Sequence, residues 1–230
     1  MKKIYTLLAL ALISGSIAAQ TKKDGVTYGI RAGVNLARFA FSGSGFDTPE
    51  GKVLKDNQKS LVTFNFGGYA NIPVSGKFSV QPGLSISGKG HRFDYSTSGM
   101  GGSVSVKSKT SLMYIEVPVN AVFNFDGFYI GAGPYIGYGI AGKTKTETTM
   151  NGQSVPEGTE PERDIKFGSG NGDDFKPLDF GANILAGYRL ENGVNFGLNY
   201  GLGLTNLDPQ NSSKTKYSNR VFSILVGFSF

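Results

Sequence analysis

Eight separate runs of this chain place an apolar residue at every second position. They are Tyr28 to Leu36, Val62 to Ile72, Phe78 to Ile86, Met113 to Phe123, Phe128 to Tyr138, Phe180 to Tyr188, Val194 to Leu204 and Phe222 to Phe230. Side chains of a β-strand alternate between two faces, so a period of two held over this length reads as a strand with one apolar face. The apolar rows contain no Lys, Arg, Asp or Glu, and the intervening positions are mainly Gly, Ser, Asn, Gln and Tyr. A water-soluble sandwich or barrel would carry charges on its outer face. A charge-free apolar face backed by small polar residues fits strands that meet lipid outside and a narrow polar interior inside.

The connections point the same way. Long segments (Arg38 to Lys59, Gly90 to Thr110, Gly142 to Leu178, Asn206 to Asn219) alternate with short ones (Pro73 to Lys77, Asn124 to Gly127, Glu191 to Gly193). Long loops on one side and tight turns on the other are the pattern of an outer-membrane barrel, and an even strand number lets the sheet close without an open edge. The fold expected is all-β: an eight-stranded antiparallel up-and-down transmembrane barrel with short periplasmic turns and four long outer loops. Pro82, Pro118 and Pro134 fall inside strands, where each removes a ladder donor, and bulges or lumen-filling side chains are the expected compensation.

Three domain segments are expected: a signal peptide over residues 1–19, a short lead over 20–25 and the barrel over 26–230. The first has a basic start (Lys2, Lys3), an apolar stretch from Ile4 to Ile13 and small residues Ala18-Ala19 before Gln20. No Cys follows it, so a lipid anchor is not expected, and the absence of Cys also excludes disulfides and thiolate metal sites. Losing Lys2 and Lys3 lowers the formal charge from +6 to +4, and no basic stripe suggests a nucleic-acid partner. With 34 Gly, 17 Phe and 11 Tyr, the composition suits strands and turns rather than helices.

Several segments are similar to motifs of the PorT-like outer-membrane β-barrel family, found in Bacteroidetes: Tyr114 to Val119 (YIEVPV), Ile130 to Tyr135 (IGAGPY), Asp179-Phe-Gly, Gly201 to Asn206 (GLGLTN) and the closing Phe222 to Phe230. The resemblance spans nearly all of 26–230, and Pro118 and Pro134 lie within its motifs. It implies a small barrel of the bacterial outer membrane without an assigned substrate. It also implies that the aromatic end, Phe228 and Phe230, is the assembly signal read by the barrel-insertion machinery.

Within the barrel, Arg31, Glu116 and Arg189 fall on inward positions with Asn65, Gln81, Tyr129 and Tyr135. Charges in a narrow low-dielectric lumen pair or hold water, so Arg31 and Glu116 are expected to share one network that plugs it. The alternative is two solvated charges out of contact. Interior Gly on the fifth to seventh strands either lines a ligand cleft or relieves crowding. His91, near Asp94 and Ser96, lacks the geometry of a triad and is expected to be an exposed loop residue. The acidic third loop (Gly168 to Asp174 with Glu157, Glu160, Glu162 and Asp164) lacks an EF-hand register, so a solvated loop is expected, and neither a metal nor a cofactor.

The functional expectation is therefore a non-enzymatic structural or interaction scaffold with a side-chain-filled lumen, displaying its outer loops. A narrow porin-like channel is the alternative, and a lipid-modifying enzyme is third. The expected partners are outer-membrane lipids and lipopolysaccharide, with the protein partner of the loops unspecified.

Overall fold

A computed structural model of the chain describes residues 25–99, 102–155, 162–210 and 215–230. The proposed signal peptide and nearly all of the lead lie outside these residues, as do Glu157 and Glu160. Eight long strands form the wall: β1 (Thr27–Ser42), β2 (Leu61–Ser75), β3 (Phe78–Gly99), β4 (Gly102–Phe125), β5 (Phe128–Met150), β6 (Leu178–Arg189), β7 (Val194–Gly203) and β8 (Lys216–Ser229). Each pairs antiparallel with its neighbour in sequence, and β1 also pairs with β8, so the ladder closes into a ring. The protein is an eight-stranded up-and-down barrel. At the seam the backbones of Tyr28 and Phe230 exchange hydrogen bonds of 3.1 and 2.8 Å.

The apolar rows face outward: Val62, Phe66, Leu84, Phe128, Ile184, Phe196 and Ile224 are each more than half exposed to the surroundings. Phe228 and Phe230 end this row with rings 6.4 Å apart. Turn chemistry sets the short side. Asp126 and Gly127 both have positive φ (47° and 86°), the backbone of a two-residue hairpin whose twist matches the flanking strands. Among the long connections, that between β1 and β2 carries helix α1 (Pro49–Asp56), capped by Thr48, whose Oγ1 accepts the Gly51 N–H at 3.1 Å.

Two expectations need correction. Gly90 to Thr110 is not a loop: β3 and β4 stay paired from His91↔Thr110 to Gly99↔Gly102. Likewise β5 continues to Met150, so only the later part of the third long segment is a connection. Apolar alternation stops where the strands leave lipid, but the hydrogen-bonded ladder does not, and Ser, Thr and Val sustain it in water. The prolines also need no bulge. Among the described residues the register keeps its offset across Pro82, Pro118 and Pro134, with a few ladder pairs missing beside Pro82 and Pro118, and slips only between Pro73 and Ser75 and between Met113 and Tyr114.

The interior glycines make room for tyrosine rings. A Cβ on Gly29 would lie 2.4 Å from the Tyr69 ring, on Gly181 2.4 Å from Tyr135, and on Gly187 2.3 Å from the Tyr129 hydroxyl. Crowding, not a ligand cleft, accounts for these positions. Gly187→Val should therefore destabilise the barrel by about 1–3 kcal/mol. The folded band of an unboiled gel sample would be lost at a lower temperature, and Tyr129→Ala in the same chain should restore part of the difference.

Candidate functional site

The inward rows of the eight strands fill the lumen in layers. Nearest the short turns, Arg31 Nη2 donates to Gln81 Oε1 at 2.7 Å, and its guanidinium lies 3.9 Å from the Tyr69 ring centre. The Tyr69 hydroxyl is 2.8 Å from Ser229 Oγ, and Asn195 Nδ2 donates to that same Ser229 oxygen at 3.2 Å. Arg189 stands 5.9 Å from the Tyr129 ring. Neither arginine has a carboxylate partner among the described residues. Flat guanidinium groups tolerate this better than ammonium groups, because they stack on aromatic faces and are less strongly hydrated.

Above this layer lies a cavity of about 60 Å³, bordered by Arg31, Asn65, Gln81, Glu116 and Asn120. Such a space holds a few waters and no more. Arg31 and Glu116 border the same cavity without pairing to each other.

Glu116 instead serves the next layer. Lys89, on β3, forms ion pairs with Glu116 of β4 and with Asp179 of β6, the latter at 2.7 Å. Asp179 Oδ2 also accepts from Asn219 of β8 at 2.8 Å and from the Tyr135 hydroxyl of β5 at 3.2 Å. Tyr114 and Tyr135 flank the ammonium, with ring centres 5.0 and 4.5 Å away. The side chains of Lys89 and Asp179 are 3% and 0% exposed, so the cluster spans the lumen out of contact with bulk water. Removing one partner of such a buried set leaves an uncompensated charge.

A hydrophobic lid closes the outer end. Phe39, Leu112, Tyr114, Ile165 and Leu207 pack together, and Phe41, Phe167 and Phe175 pack against them. Ile165 and Leu207 come from the connections after β5 and β7, so the outer segments fold inward over the lumen. Gln58 holds this lid to the wall, donating to Phe39 O at 2.9 Å and accepting from Phe39 N at 3.0 Å.

His91 belongs to the lid and not to an exposed loop, which corrects the sequence expectation. Its ring lies tilted 4.6 Å from that of Phe39 and edge-on to Phe41 at 6.1 Å, just beyond the lipid-facing belt. Burial lowers its pKa to about 4. Asp94, on the opposite face of β3, is tied to Arg92 at 2.7 Å and Lys59 at 3.1 Å, so His91, Asp94 and Ser96 do not converge. In the third connection Asp174 is engaged by Arg163 at 2.8 Å, and Glu162 by Lys143 at 2.7 Å. Among the described residues no three His, Cys, Asp or Glu gather to hold a metal ion.

All seven lumen residues named from the sequence lie on inward positions, but they divide between the layers. Arg31 meets Gln81, Tyr135 and Glu116 meet Lys89, Arg189 approaches Tyr129, and Asn65 lines the cavity. Sequence reasoning missed Lys89, Asp179 and Asn219. Lys89 is the next inward position after Ser87, and Asp179 the next beyond Gly181. Extending each polar row by one step would have found both.

Lys89→Met should cost about 3–5 kcal/mol in detergent unfolding, because two carboxylates lose their cation; adding Glu116→Gln and Asp179→Asn should recover much of it. For His91 the folded pKa lies below the unfolded value of about 6.5. Its contribution is complete above pH 6.5 and is lost as pH falls towards 4. The lid should loosen over that window by up to about 3 kcal/mol. Protease cutting of the outer segments should report this loosening, and His91→Phe should abolish the pH dependence.

The family model for the outer membrane protein beta-barrel domain matches residues 18–208. Among solved structures, the chain is similar to the attachment invasion locus protein Ail of Yersinia pestis, crystallised with the heparin analogue sucrose octasulfate. The two share 13% identity over 89% of this chain and 99% of that one, with a TM-score of 0.41. Neisserial surface protein A gives 10% identity over 88% of this chain and 95% of that one, with a TM-score of 0.38. No curated protein sequence matches the chain.

Proposed function

The chain belongs to the outer membrane protein beta-barrel domain family and resides in the bacterial outer membrane, and from that premise we propose that it is a sealed scaffold. On this reading the barrel anchors and displays its outer segments, and its lumen does not conduct. One observation carries it: Lys89 is held across the lumen between Glu116 and Asp179, directly beneath the hydrophobic lid. A solute would have to break buried ion pairs and part a packed apolar cluster. The eight-stranded ring supports the same conclusion, since a barrel of this size has an interior about as wide as the side chains that fill it.

The outward surface of the scaffold meets outer-membrane lipid along the belt, and lipopolysaccharide where the strands emerge on the outer side. On the same reading the barrel is of the PorT-like kind, a view supported by the resemblance of the motifs from Tyr114 to Val119 and from Ile130 to Tyr135. Residues 1–19 serve as its export signal, so the mature protein begins within one residue of Gln20.

Planar-bilayer recording tests the sealed state. The wild-type barrel should show no large, stable open level. Lys89→Ala, alone or with Phe39→Ala in the lid, should raise the frequency of brief openings. A stable large conductance in the wild type would establish the channel reading instead.

A further inference from the structure

Where the lipid-facing belt ends on the outer side, three strands bring cations side by side. Arg92 of β3 lies opposite Lys109 of β4, and Lys109 lies opposite Lys145 of β5. All three are exposed, on the face that continues the outward apolar rows. Lys59 extends the row from the far side of Arg92. Like charges directly opposite on adjacent strands destabilise a sheet, so such a row needs an anion. The protein supplies only part of one. Asp94 takes Arg92 and Lys59, and Glu147 takes Lys145 at 2.8 Å. Lys109, at the centre, has no carboxylate partner among the described residues.

Directly beside this row is a surface groove of about 530 Å³. Val62, Phe64 and Met113 give it an apolar wall continuous with the belt, and Lys109 and Lys145 stand on its rim. Cations above and hydrocarbon surface below, at the level where a membrane passes from acyl chains to headgroups, are the two halves of an amphiphile's requirement. Neighbouring strands are about 4.8 Å apart, so ammonium and guanidinium groups on three of them can share the oxygens of one phosphate. A soluble polyanion would have no use for the apolar wall.

We propose that this groove is a binding site for a phosphate-bearing lipid of the outer leaflet, with its phosphate on Lys109 between Arg92 and Lys145 and an acyl chain against Val62, Phe64 and Met113. The proposal rests on the reading that the outer surface meets outer-leaflet lipid, and is independent of whether the lumen conducts. Glu162 and Asp164 also border the groove, and Glu162 occupies Lys143. These acids set the affinity below what the cations alone would give.

The test is a titration of the full-length barrel, refolded in neutral detergent, with diphosphoryl lipid A, monophosphoryl lipid A and phosphatidylcholine, followed by native mass spectrometry. Affinity should fall in that order and weaken with added salt. Lys109→Gln/Lys145→Gln should reduce binding of the diphosphoryl lipid about tenfold, as expected for the loss of two charge-assisted contacts. Glu162→Gln should tighten it, and Lys77→Gln at the short-turn end should leave it unchanged. The gel shift on heating, read on the same samples, reports folding separately. Equal binding of the three lipids, or unchanged affinity in the folded double variant, would overturn the site while leaving the barrel's general lipid contact intact. Displacement of the lipid by inorganic phosphate at matching concentration would overturn the acyl-chain half.

Discussion

Closure of the backbone ladder is the constraint from which the rest of this structure follows. In hydrocarbon an unpaired N–H or C=O costs several kcal/mol, so the strands must pair on both sides, and the pairing of β1 with β8 meets that demand. A ring of eight strands is narrow, so the inward residues have to fill their own space. Three tyrosines do much of this filling, and each takes the position that a glycine on another strand leaves open. Closure outside therefore dictates small residues inside. The glycine content that argues against helices is the same glycine content that lets the lumen pack.

A filled lumen of low dielectric then decides how charge is carried. Lys89 is compact and strongly hydrated in water, and it receives two carboxylates and two aromatic faces. Arg31, planar and weakly hydrated, is held with one amide oxygen and one ring, and its buried Nε has no protein partner. The two cations are not interchangeable, and their surroundings differ in the way their solvation requires. The layers also differ in access. The lid lies over the outer end, whereas the arginine layer and the small cavity lie towards the short turns, so the barrier to the exterior is concentrated in one half of the barrel.

Much of this was legible in the sequence, and the limits have a physical cause. The alternation identified all eight strands, their order and the facing of every residue named for the lumen, because a period of two survives any bending of the wall. Contacts across the lumen were not legible. Which inward residue meets which depends on the stagger between strands that are distant in sequence, and Arg31 accordingly found Gln81 instead of Glu116. Lys89, Asp179 and His91 lie beyond the ends of the alternating apolar runs, and their strands continue past those ends. His91 is hidden from the sequence for a related reason: the rings against it, Phe39 and Phe41, lie on β1 past Leu36, where the outward apolar alternation has already ended.

The strands' continuation past the lipid boundary bears on how the outer surface works. Outward facing does not change when β3, β4 and β5 leave the belt; only the chemistry of the outward row changes, from Ile86, Ile115 and Tyr138 to Arg92, Lys109 and Lys145. The one-residue slip between Met113 and Tyr114 preserves this arrangement, since Ile140 and Ala141 both face out and Lys143 and Lys145 then follow on the same side. Without that slip, β5 would turn its lysines inward beneath the lid. A rigid sheet thus fixes the height and spacing of the cations relative to hydrocarbon, which flexible loops could not do. The ladder that first satisfies the backbone in lipid becomes, a few residues later, the frame that presents charge to the headgroups.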